Sequence, residues 1–253
     1  MTHPALLTTV ATCALLALTG CRTVVEPRHD ELGDAERRAV YQRIANALPR
    51  ANPGWGSPPG IVEMARSTKA EGAPAEPEPL TANEHGFRAT LEVYRPRTLW
   101  IPYAAIRQVS YGWKPVPNVL LAPLLVVPLQ IGRATLIVDA GQVPGFFERL
   151  ERDLKRLEAI SREIGMGGPW AHAQDVRAAL AEVEAEHGPR HLALHFDYSA
   201  MIPAWLPWGG DARRTAEAFA WAMAHPDAAT LEPAPEDDAR GADAAEAERR
   251  PPS

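Results

Sequence analysis

The run Pro115 to Ile131, PVPNVLLAPLLVVPLQI, carries no charge. It is apolar enough for lipid, but Pro115, Pro117, Pro123 and Pro128 each remove a backbone donor and fix φ. A helix crossing a bilayer must satisfy its own backbone polar groups, so this run cannot span as a regular helix. Two readings remain. It forms two buried strands with proline at their ends and edges, or it is an apolar loop, with Leu120, Leu121, Leu124 and Leu125, that touches lipid or a partner protein. The smaller segment Ile202 to Trp208 has the same character. Its Trp205 and Trp208 suit a boundary between apolar and wet surroundings, and suit a core edge equally well.

The N-terminus has a second apolar stretch, Ala5 to Leu18, broken only by threonines and Cys13. It is too short to span, since a spanning helix needs about 20 residues. It fits the apolar region of a secretory signal. Leu18, Thr19, Gly20 and Cys21 follow. This sequence resembles the lipobox of bacterial lipoproteins. The resemblance implies cleavage before Cys21, diacylglycerol on its thiol and, usually, a further acyl chain on the new N-terminus. Two or more chains make a stable anchor where one is marginal. The leader departs from the usual pattern in having no Lys or Arg in Met1-Thr2-His3-Pro4. Arg22 stands where many inner-membrane lipoproteins carry Asp, so the resemblance implies an outer-membrane address facing the periplasm.

The two cysteines of the chain are Cys13 and Cys21. With Cys13 lost and Cys21 acylated, the mature chain has no disulfide and no cysteine metal site, and its core alone must stabilise it. Net charge is −6 and no basic stripe occurs, which speaks against nucleic acid as a partner.

Residues 21–33 read as a tether. Asp34 is placed as N-cap of a helix to about Leu48, with Val40, Tyr41, Ile44 and Leu48 inward, and residues 34–60 hold this helix and an irregular connection. The region 61–165 begins with a short strand at Ile61 to Met64 and a polar, proline-rich linker over 67–80. Alternation predicts a strand from Phe87 to Tyr94. Aromatic and β-branched residues predict others over Thr98–Tyr103 and Ile106–Trp113, with a further one over Arg133–Ala140. Pro144 opens an amphipathic helix whose stripe is Phe147, Leu150, Leu154, Leu157 and Ile164, ended by Gly165. The extension 166–230 holds a helix capped by Asp175, an alternating strand His191–Tyr198 and a helix capped by Asp211. Residues 231–253 are acidic and rich in alanine and proline, the composition of a disordered tail.

Within this order, Ile101-Pro102-Tyr103-Ala104-Ala105-Ile106-Arg107-Gln108-Val109 resembles a segment of bacterial pleckstrin-homology-like and GRAM-like domains. The resemblance covers roughly residues 86–165. It implies an α+β fold: an antiparallel sheet or partial barrel closed by an amphipathic helix, either the one beginning near Phe146 or the one beginning near Asp211. The basic headgroup-binding loop of that family has no counterpart, because the only cations between Ile106 and Arg133 are Arg107 and Lys114.

Catalytic signals are weak. Ser110 and Ser199 lack a nucleophile-elbow context. Gly165, Gly167 and Gly168 read as a helix end, without the lysine of a phosphate loop. His191 and His195 share a strand face about 13 Å apart, too far for one metal ion, and read as solvent-facing. No cofactor and no metal are expected. The sequence therefore points to a membrane-anchored envelope protein that binds or scaffolds, with an envelope protein as its partner. The alternative is an envelope enzyme whose site gathers His172, His191, His195 and Asp197.

Overall fold

The computed structural model describes residues 22–68, 79–115, 129–203 and 210–226. The class is α+β. A five-stranded antiparallel sheet runs in the order β1 (Arg22–Val25), β5 (Ile106–Pro115), β6 (Leu129–Asp139), β7 (His191–Pro203) and β2 (Ala51–Asn52). A separate hairpin pairs β3 (Gly86–Glu92) with β4 (Pro96–Pro102). The two sheets do not close into a barrel. Five α-helices accompany them among the described residues: α1 (Asp34–Ala47), α2 (Gly60–Thr68), α3 (Phe146–Ile164), α4 (Gly167–His187) and α5 (Gly210–Ala224). None is long and apolar enough to cross a membrane.

Helix α5 forms the centre. Ala212, Thr215, Ala216, Ala218, Phe219, Ala220, Trp221 and Ala222 are all buried, nearly the full circumference. Small side chains let it lie close to the sheet: a Cβ built on Gly132 would stand 3.5 Å from Ala212 Cβ. Phe219 meets Phe87 of the hairpin and Phe196 of β7, each with ring centroids 5.2 Å apart, so it joins the two sheets. Both alternating strands behave as their pattern predicts. Phe87, Ala89 and Leu91 are buried on β3, and Leu192, Leu194 and Phe196 on β7. The stripe of α3 is buried at Leu150, Leu154 and Leu157, and its C-cap is Gly165 with φ of +64°. Ile164 of that stripe is exposed.

Several local expectations are corrected. Residues 22–33 do not hang free. Residues 22–25 pair with β5 from Arg22↔Gly112 to Val25↔Val109, Arg28 N donates to Ala220 O and Trp221 Nε1 donates to Asp30 O. Gly33, not Asp34, caps α1, and its N–H donates to Glu36 at 2.9 Å. Ile61 to Met64 is helical, because Val62 N donates to Pro59 O and starts a turn that buries Val62. Helix α4 begins at Gly167, well before Asp175. Pro169 falls in its first turn, where a missing N–H costs nothing. Asp211 lies inside the first turn of α5, which begins at Gly210.

The sheet has one end at which several chain ends meet. Strand β1 enters at Arg22 opposite Gly112, β5 leaves at Pro115 opposite Gln130, and β7 leaves at Pro203 opposite Leu129. Cys21, Leu120, Leu121, Leu124, Leu125, Trp205 and Trp208 lie outside the described residues, as do the leader and the acidic tail.

Candidate functional site

Strand geometry sends alternate side chains to opposite faces, so β7 turns Leu192, Leu194 and Phe196 toward the core and His191, Ala193, His195 and Asp197 to the other face. Register extends that second face across the sheet. Ser110 of β5 stands opposite Thr135 of β6, Thr135 opposite His195, and His195 opposite Asn52 of β2. The next row is Arg22, Gly112, Arg133 and Asp197.

The side chains of these two rows bond to one another. Thr135 Oγ1 and His195 Nδ1 are 3.1 Å apart. Arg133 grips Asp197 with both arms of its guanidinium, at 2.6 and 2.8 Å, the fork geometry that makes arginine–carboxylate pairs strong. Arg22 Nε donates to Ser110 Oγ at 2.7 Å and its Nη1 lies 3.6 Å from Glu186 of α4. Ser110 and Thr135 are buried.

Electrostatics follow from this placement. Burial, seconded by the charge of Arg133, holds the His195 imidazole down to about 4. It is therefore neutral at pH 7, and its ring is partnered rather than solvent-facing. The Asp197 carboxylate is also held low: burial opposes this, but the hydrogen bond and charge of Arg133 prevail.

The four residues of the enzyme alternative do not converge. His195 and Asp197 are neighbours on this face. His191 lies four residues back along the strand, about 13 Å by strand rise, with Nδ1 3.0 Å from Gly188 O. His172 is buried in α4, where its Nε2–H donates to Val93 O at 3.1 Å. Burial lowers its pKa as well. Among the described residues no three His, Cys, Asp or Glu side chains group as metal ligands.

Chemically, the face is a hydrogen-bonded polar network. General base catalysis needs a base within reach of an accessible proton donor, and the Nδ1 of His195 is instead bonded to a buried threonine. Sequence reasoning weighed Ser110 only as a nucleophile and Arg22 only for its place after the cysteine, and gave Arg133 and Thr135 no part in a site. Arg133 and Asp197 each occupy a polar position in an alternating strand, but their pairing depends on register, which no local pattern encodes. With this geometry in hand, no family model, curated protein or solved structure matches the chain.

Proposed function

We propose that this chain is a lipid-anchored lipoprotein of the cell envelope, facing the periplasm from the outer membrane, and that it acts as a binding or scaffolding module. The observation that supports this reading is the shared sheet end. Arg22 is fixed by strand pairing and by its bond to Ser110, so acyl chains on the neighbouring Cys21 would hold that end of the sheet against the bilayer. Pro115, Leu129 and Pro203, from which the two apolar segments depart, are at the same end. Leu120, Leu121, Leu124, Leu125, Trp205 and Trp208 are the contact residues of this proposal. Envelope protein is the partner, and the polar network on the sheet face turned away from the core holds the strands in register.

Two measurements test it. Mass spectrometry of protein from its own cells should find Cys21 as the N-terminal residue, bearing diacylglycerol. A bare Cys21 or a retained leader would remove the anchor. Leu121→Asp with Leu125→Asp should lower recovery of the protein with membranes or with a crosslinked envelope partner, while circular dichroism stays native. Unchanged recovery would show that the contact lies elsewhere.

A further inference from the structure

Helices α1 and α5 run side by side, and the segment 28–32 closes one flank of the space between them. A groove of about 220 Å³ remains there, lined by Leu32, Ala39 and Val40 on one wall and Ala218 and Trp221 on the other. Most of the charges on its rim have a partner. Asp30 is bonded to Arg28, Glu36 to the Gly33 amide, Glu217 to Arg213, and Arg214 to Asp211 and the Gly210 carbonyl. Arg43, also on the rim, has no ion-pair or hydrogen-bond partner among the described residues. The groove thus presents a guanidinium without an ion-pair partner at one end of an apolar floor, with the Glu36 carboxylate at the other.

We propose that this groove binds a small anionic amphiphile, an aliphatic carboxylate, with its headgroup on Arg43 and its chain along Val40, Ala218 and Trp221. A guanidinium fork matches a carboxylate in two parallel bonds, which a compact ammonium cannot do. The floor follows α1 from Arg43 back to Glu36, about 10 Å at 1.5 Å per residue. A medium-length alkyl chain covers that distance and takes Leu32, Ala39 and Val40, which are still partly exposed, out of water. A second anionic group is disfavoured, because Asp30, Glu36 and Glu217 border the rest of the groove.

The test is photocrosslinking of the full chain with a diazirine-bearing octanoate analogue, mapped by mass spectrometry. Label should fall on peptides covering 28–43 and 212–224, and excess octanoate should compete while octanol and acetate should not. Arg43→Gln should cut labelling about tenfold, and Arg43→Lys should restore only part of it. Arg43 is exposed, so neither variant endangers the fold, and an unchanged melting temperature confirms this. Label on other peptides, equal labelling of Arg43→Gln, or equal competition by octanol would overturn the proposal.

Discussion

Thr135 and His195 face each other across β6 and β7, and the hydroxyl of one lies 3.1 Å from the ring Nδ1 of the other. The fold accepts this imidazole only as a neutral ring, since burial and Arg133 bring it down to about 4. The unfolded chain binds the proton near pH 6.5. Between those values the unfolded state holds more protons than the folded one. Stability is thus complete above about pH 6.5 and falls as pH drops toward about 4. The loss should reach at most about 3.4 kcal/mol, at 1.36 kcal/mol per unit of pKa. Denaturant unfolding at pH 7 and pH 4.5 checks it. His195→Gln should lose visibly less over that interval, and an equal loss in both proteins would assign the pH sensitivity to other groups.

The Arg97–Asp153 pair joins β4 to α3 at 3.1 Å, with the Asp153 side chain only 5% exposed. Truncating Asp153 removes the carboxylate that both arms of the largely buried Arg97 guanidinium face. Asp153→Ala should cost about 3 kcal/mol, and replacing both residues with apolar ones of similar volume should recover most of it. Equal stability of Asp153→Ala and wild type in urea melts would show that the pair contributes nothing.

Phe219 has aromatic neighbours in both sheets. Phe219→Ala removes the ring that Phe87 and Phe196 pack on, and a cavity of this kind costs about 3–5 kcal/mol. Differential scanning calorimetry should show a drop of many degrees. Phe147→Ala, on a half-buried ring of α3, should fall by much less.

Gly86 opens β3 where the chain passes close to β4. A Cβ there would lie 2.4 Å from the Ile101 carbonyl oxygen, a backbone atom that cannot swing away. Gly86→Ala should therefore destabilise by about 1–3 kcal/mol, the range for forced overpacking. Gly60→Ala is the control. Nothing lies within 4 Å of its added methyl, and alanine favours the helix it sits in, so stability should hold or rise.

Elements with a strong internal period were legible from sequence. Phe87-Ala89-Leu91, Leu192-Leu194-Phe196 and Leu150-Leu154-Leu157 each repeat at the spacing of their own structure, and each is buried as expected. Elements defined by what they touch were not. Strand β2 has two residues and exists only because Ala51 and Asn52 pair with Phe196 and His195. Strand β1 looked like a tether because its charged surroundings and Pro27 give no period. The first turn of α4 was hidden by Gly167, Gly168 and Pro169, which punctuate a sequence but are tolerated at a helix start. The polar network was invisible for a further reason. Ser110, Thr135, His195 and Arg22 come from four strands far apart in the chain, and only pairing register gathers them.

The position of α5 in the chain bears on how the protein is made. The helix packed most completely is also the last described element to be synthesised, and its Trp221 donates to a carbonyl 191 residues earlier. Until residues 210–224 leave the ribosome, Phe87 and Phe196 lack the ring that separates them from water. Contacts of such sequence separation close slowly. A nascent chain built this way completes its core only once residues 210–224 are available.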